Sequence, residues 1–153
     1  MSTDRKGGEG PKGKALGEGD LDDLLRVAHA TVLLAHAPYS GVCVGAALLD
    51  EHGRVWNGCN VENASYGLTM CAERVALVKA VVGGAGRIRT LALASSVERP
   101  LMPCGACRQV LQELAPDAEV VVEGRSGPRV RAWVEELLPQ PFVPGDLEPP
   151  TTR

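Results

Sequence analysis

A chain of 153 residues has room for one domain around a single core, burying about two-thirds of the surface that its unfolded form exposes. Its net charge of -3 and calculated pI near 5.6 argue against a polynucleotide partner, which needs a concentrated Lys and Arg surface, and favour a small ligand. No apolar run approaches the roughly 20 residues of a membrane span and no leader pattern opens the chain, so no membrane association is expected and the expected location is cytoplasmic.

Aromatic residues are only 3% of the chain against 44% hydrophobic, so Leu, Val and Ala must build the core. The five cysteines are an odd number without an export signal, which points to thiol or metal chemistry rather than a disulfide framework.

Residues 1–20 mix Arg5, Lys6, Lys12 and Lys14 with Gly8, Gly10, Gly13 and Gly17, and are expected to form a disordered tail. Leu21, Leu24, Leu25, Ala28, Val32 and Ala35 recur at helical spacing until Pro38, predicting an opening helix that carries His29 and His36. The small apolar run from Cys43 to Leu49, the turn Asp50 to Gly53 and the stretch Arg54 to Val61 predict a two-stranded hairpin. Met70 to Val82 reads as a buried helix, capped by Thr69 and ended by Gly83 and Gly84.

Leu91 and Leu93 mark a short strand. Pro103, tolerated in a first helical turn, then leads into a helix from Cys104 to Leu114, stopped by Pro116. A strand over Glu119 to Val122 and a short helix over Val134 to Leu138 follow. This alternation predicts an α/β fold, a three-layer αβα sandwich with helices on both faces of one mixed sheet over residues 21–140. Residues 141–153 continue a proline-rich end and read as an extended tail that packs only where another surface receives it.

Cys104-Gly105-Ala106-Cys107 is a Cys-x-x-Cys, a spacing shared by zinc ribbons and redox dithiols. A ribbon needs a second pair, but Cys59 and Cys71 are far apart with no adjacent His, and no thioredoxin-like setting supports the redox reading. Adding Cys71-Ala72-Glu73 makes three thiolates with a carboxylate nearby and leaves one position for water, as a catalytic zinc site requires. A ligand two residues before a Glu, with a later Pro-Cys-x-x-Cys, is the general signature of zinc deaminases.

The segments Ala37 to Ser40, Val44 to Leu48, Gly58 to Ala64 and Cys71 to Arg74 complete the pattern in order and spacing. On these residues the chain resembles the short, homotetrameric cytidine deaminases from the opening helix to Phe142. The resemblance implies one zinc ion per subunit on Cys71, Cys104 and Cys107, with Glu73 moving protons as zinc-activated water attacks C4 of a cytosine nucleoside. A nucleoside is then the small-molecule partner, and pyrimidine salvage the setting. By the same resemblance Asn60 and Glu62 hold the ribose hydroxyls and Ala72 presents backbone to the base. Ala64, Tyr66 and Phe142 match positions that reach a neighbouring subunit's site, with plain packing the alternative for Tyr66 and docking on its own domain the alternative for Phe142.

Three thiolates leave surplus negative charge on the site, so a cation is needed to offset it. Arg74 and Arg108 are the candidates, the resemblance favouring Arg74, with two exposed helix arginines as the alternative. The chain departs from the family where an aromatic and a proline usually follow Ser40: it has Gly41, then Val42 and Cys43. Val42 cannot stack on a base, which motivates an alternative substrate, a modified cytosine nucleoside such as blasticidin S. A noncatalytic zinc or RNA-binding module is a further alternative, opposed by Glu73 and the acidic charge. Cys43 and Cys59 read as packing, and His29, His36 and His52 lack ligand spacing.

Overall fold

The computed structural model describes residues 15–147. The calls on residues 1–14 and 148–153 therefore lie outside the described residues. In chain order the elements are α1 (Glu18–Val32), β1 (Val44–Asp50), β2 (Val55–Cys59), a 3-10 turn (Tyr66–Leu68), α2 (Ala72–Val82), β3 (Ile88–Ser95), α3 (Gly105–Leu114), β4 (Glu119–Glu123), β5 (Val130–Trp133), α4 (Val134–Leu137) and a closing 3-10 turn (Pro144–Leu147). The sheet order is β2-β1-β3-β4-β5. β3 and β4 are parallel and every other neighbouring pair is antiparallel, so the sheet is mixed, as expected.

Strand alternation divides the core between the two faces. Ala47, Ala92, Ala94 and Val121 pack against Leu21, Leu24, Leu25 and Ala28 of α1. Ala46, Leu48, Leu91, Leu93, Val120 and Val122 face the other way, against Ala72, Ala76, Leu77 and Ala80 of α2 and Leu111 of α3. The expected three layers follow, with α2 and α3 sharing one face.

Small residues let the helices approach closely, as an aromatic-poor core demands. A Cβ on Gly58 of β2 would stand 2.5 Å from the Ala76 backbone nitrogen and 2.9 Å from the Ala72 carbonyl oxygen of α2. On the opposite face a Cβ on Gly45 would meet the Ala28 carbonyl of α1 at 2.1 Å. Both contacts are with backbone, which cannot swing aside as a flexible side chain can.

Several boundaries differ from the sequence expectation. α1 starts at Glu18 rather than Leu21 and stops at Val32, because the following chain turns and His36 pairs instead with Asn60 and Glu62 through its backbone. His36 is therefore off the helix, while His29 on α1 meets Glu123 at 3.0 Å. β2 ends at Cys59 rather than Val61. The Asn60 amide there takes the place of further ladder bonds, accepting from the Val44 N–H and donating to the Val42 carbonyl. Thr69 does not cap α2: Cys71 is the N-cap, and the Thr69 hydroxyl accepts from the Asn63 N–H. Pro103 likewise precedes the α3 N-cap, Cys104, instead of sitting in the first turn.

β5 was not anticipated, since it is only four residues long and Arg131 falls within it. It forms by antiparallel pairing with β4, and ion pairs add to this. Arg129 reaches Glu18, Asp22 and Glu123, and Arg131 reaches Glu18 and Glu119, so these cations tie the edge strand to α1 and β4.

The β1–β2 turn is organised by a buried carboxylate. Asp50 accepts from the N–H groups of His52 and Arg54, the Arg54 guanidinium and the Trp56 indole. Burial alone would raise its pKa, but these bonds outweigh it and hold the carboxyl well below the ordinary carboxylate range.

Two outcomes are expected. Gly58→Ala should lower the stability measured by urea unfolding by about 1–3 kcal/mol, the usual cost of overpacking a core; an unchanged midpoint would contradict the close approach of β2 and α2. For Asp50, a folded-state pKa below the unfolded one means that the stabilisation is complete above about pH 4 and drains away as pH falls further. The stability gap between wild type and Asp50→Asn should thus stay level from about pH 5 to 8 and narrow below about pH 4.

Candidate metal and catalytic site

Cys71 and Cys104 are the N-caps of α2 and α3, and Cys107 lies in the first turn of α3. Cys107 is fully buried, so the first turn of α3 supplies the floor of the site. The three sulfur atoms lie within 4.8 Å of one another, and Cys71 and Cys104 are 3.8 Å apart. Two sulfurs bound to tetrahedral zinc at about 2.3 Å stand about 3.8 Å from each other. The donor set and its spacing therefore fit zinc, and three protein ligands leave a fourth position for water or substrate.

Two helix N-termini converge on the cluster, placing unpaired backbone N–H groups and positive dipole ends around the sulfurs. A hydrogen bond from the Cys107 thiol chiefly brings the Cys71 pKa down to about 5 against the opposing effect of burial, and the Arg74 guanidinium assists. The same bond, together with burial and the neighbouring Glu73 charge, pushes Cys107 upward. Of these two thiols, Cys71 is the readier to ionise and the deep Cys107 the one that holds its proton.

Glu73 sits in the first turn of α2, only 5% exposed. Burial raises its pKa, and the Cys71 charge adds to that effect, although its own backbone N–H, the Cys107 thiol and Arg74 oppose it. A carboxyl so placed is suited to carrying a proton rather than to holding a fixed charge.

The two candidate cations separate. Arg74 donates to the Thr69 carbonyl at 2.9 Å and approaches the Cys71 sulfur at 3.8 Å, so it can offset thiolate charge. Arg108 instead donates to the carbonyls of Pro103 and Leu137. These bonds brace the ligand loop and tie α4 to α3.

The expected nucleoside-binding residues lie on the irregular segments around β2. Asn60 is buried, and its two bonds to Val42 and Val44 leave one amide N–H and one oxygen lone pair. Glu62 accepts from the Ser40 hydroxyl and from the N–H groups of Tyr39 and Ser40. The Ser40 hydroxyl bond first, then the backbone bonds, hold its carboxyl below the ordinary range, keeping it an acceptor at neutral pH. Both residues follow the end of β2.

Tyr66 is 76% exposed, which corrects its reading as core packing. It meets Tyr39 edge-on at 6.1 Å and, with Ser40, Glu62 and Thr69, lines a cavity of about 340 Å³. The roles of Ser40 and Thr69 in shaping this pocket were missed from sequence; the Tyr39-Ser40 segment was the available signal. Ala64 is exposed and Ala72 buried. Cys59 donates to the Leu34 carbonyl at 3.3 Å, and neither Cys43 nor Cys59 joins the sulfur cluster.

Comparison with known proteins agrees with this geometry. Residues 19–123 match the model of the cytidine and deoxycytidylate deaminase zinc-binding region. A cytidine deaminase from Halalkalibacterium halodurans is 48% identical over 114 residues, 74% of this chain and 86% of the relative. A structure of cytidine deaminase from Burkholderia pseudomallei aligns with a TM-score of 0.76 and 44% identity, over 79% of this chain and 98% of that one. More distantly, a blasticidin-S deaminase from Bacillus cereus is 32% identical over 108 residues, 65% of this chain and 76% of the relative. The chain belongs to the zinc-dependent cytidine and deoxycytidylate deaminase family.

Removing the Arg74 side chain should weaken zinc retention or turnover by about 10- to 100-fold, the usual effect of losing a group that supports a metal ligand. Chelator competition on Arg74→Ala, with secondary structure monitored in parallel, checks this; retention and turnover both equal to wild type would remove Arg74 from the site.

Proposed function

We propose that this protein hydrolytically deaminates cytidine and 2′-deoxycytidine to uridine and 2′-deoxyuridine in pyrimidine salvage, using one zinc ion per subunit. The observation that carries this reading is the buried Glu73 beside three sulfurs gathered within 4.8 Å. That arrangement supplies a metal with a free position and an acid–base group that is not itself a ligand.

Bound zinc supplies Lewis acidity, lowering the pKa of water from about 15.7 toward 7. Glu73 takes one water proton and delivers it to ring N3 as oxygen adds at C4; it then takes the proton of the new C4 hydroxyl and passes it to the amino group as the C4–N bond breaks, so water and cytidine become uridine and ammonia. Its raised pKa makes it a stronger base for taking up the proton. Asn60 and Glu62 hold the ribose hydroxyls, the amide through its remaining N–H and the carboxylate as an acceptor. Ala72, first in α2, offers backbone to the base.

The active assembly in this reading is a homotetramer in the cytoplasm, with Ala64, Tyr66 and Phe142 reaching a neighbouring site. Support comes from exposed apolar side chains, including Leu33, Leu34, Tyr66, Leu68, Val82 and Phe142, which a second copy can cover. Among the described residues no helix is long and apolar enough to cross a membrane. The catalytic domain in this reading spans residues 21–140, with tails before and after it. Relatives at 40–48% identity over most of their length are cytidine deaminases, so an ordinary cytosine nucleoside is favoured over a blasticidin-like one.

Glu73→Gln should keep its zinc and lose about 100- to 10,000-fold in turnover, the range for removing a general acid–base group. Metal analysis and the ultraviolet change as cytidine becomes uridine, measured on one sample, check it. Near-normal turnover with zinc bound would end the proton-transfer role. Failure on cytidine and deoxycytidine with activity on an analogue would move the substrate assignment.

A further inference from the structure

Phe142 is the only phenylalanine in the chain. Its backbone is held on both of its hydrogen-bonding groups by one side chain: the Gln109 amide nitrogen donates to the Phe142 carbonyl at 2.7 Å, and the Phe142 N–H donates to the Gln109 amide oxygen at 3.0 Å. A primary amide presents one donor and one acceptor side by side, so it pairs with a peptide group as a neighbouring strand does. Yet Phe142 so anchored is 57% exposed. It helps to line a cavity of about 420 Å³ together with Val110, Leu114, Val143 and Leu147.

The anchor is rooted in the ligand helix. Gln109 lies two residues after Cys107 on α3, about 200° around the helix axis, so the residue facing the metal and the residue gripping the tail occupy opposite sides of one rigid turn. The adjoining Arg108 ties the Leu137 carbonyl to the same turn. The chain between these ties contains Pro139 and Pro141, which restrict its backbone, and the Asp146 carboxylate closes the following turn by accepting from the Val143 N–H. Fixing a tail at this many points while leaving Phe142 more than half exposed is a way to present the residue, because ordering costs entropy that its partial burial offsets only in part.

We propose that Gln109 is the positioning residue for Phe142, setting its backbone so that the ring reaches the nucleoside site of a neighbouring copy at a fixed place. This rests on the reading of Phe142 given under the proposed function. Gln109 touches no substrate; it acts through Phe142, and its loss lowers the fraction of subunits whose ring is in place, weakening nucleoside binding rather than the chemical step.

The test compares Gln109→Met, which keeps the length of the side chain and removes both bonds, with Phe142→Ala and the double variant in the zinc-loaded protein. Gln109→Met is expected to raise KM for cytidine about 3- to 10-fold, as two neutral hydrogen bonds allow, with kcat, zinc content and oligomeric mass near wild type. Hydrogen exchange of the segment around Phe142 should quicken. In the Phe142→Ala background, Gln109→Met should add no further rise in KM. A KM that rises with Phe142→Ala but not with Gln109→Met, or effects that multiply in the double variant, overturns the positioning role while leaving the Phe142 reading intact. An unchanged KM in Phe142→Ala overturns that reading and the positioning role with it. If Gln109→Met fails to fold, Gln109→Glu takes its place: it keeps the acceptor for the Phe142 N–H and loses the donor, so a smaller KM rise absent from the Phe142→Ala background supports the role and an unchanged KM overturns it.

Discussion

Three sulfur atoms from two separate helices must meet at one point, and much of the architecture can be understood as holding them there. α2 contributes Cys71 at its N-cap, and α3 contributes Cys104 at its N-cap and Cys107 in its first turn. Neither helix can assemble the site alone. Their starts face each other because both pack on the same side of the sheet, and the helix ends bring backbone N–H groups to thiolates that otherwise repel one another. Arg74 adds a full charge beside Cys71, which matters because three thiolates overcompensate a divalent ion.

The distance between sheet and helix is set by small residues. With few aromatics available, alanines and glycines carry the contact, and Gly58 lets β2 approach the α2 backbone more closely than any side chain permits. α2 carries both Cys71 and Glu73 at its first turn, so the same packing that seats the ligand also buries the carboxyl. The upward shift of the Glu73 pKa comes chiefly from burial in this packing, and the charge of Cys71, two residues away in the chain, adds to it.

Beyond the metal, polar side chains replace regular structure. The Asn60 amide bridges the backbone at Val42 and Val44 where β2 has ended, Glu62 gathers the Tyr39-Ser40 turn, and Gln109 grips Phe142. Each pins an irregular segment by supplying the partner that a strand ladder would have supplied, the first two beside the nucleoside pocket and the third on the far side of α3. Loops held this way can present side chains with some of the precision of strands while remaining open to a ligand. Val42, standing where an aromatic is usual in the family, has its carbonyl held by Asn60.

By itself the sequence determined the α/β alternation, through apolar periodicity, and singled out Cys71, Glu73, Cys104 and Cys107 as candidates, through Cys-x-x-Cys and a cysteine two residues before a glutamate; the meeting of Cys71 with the other pair belongs to the fold. It also carried enough residues in order to mark the family. Only the tertiary structure decided what depends on contacts between distant segments. β5 pairs with β4, with Arg129 and Arg131 bonded to carboxylates on α1 and β4, and Arg108 bonds the Pro103 and Leu137 carbonyls. Likewise Asn60 left the strand to bond Val42 and Val44, and Tyr66 came out exposed against Tyr39. Local pattern fixes which residues can form an element or ligate a metal, whereas the partner of a long polar side chain is chosen by whatever the folded chain brings within reach.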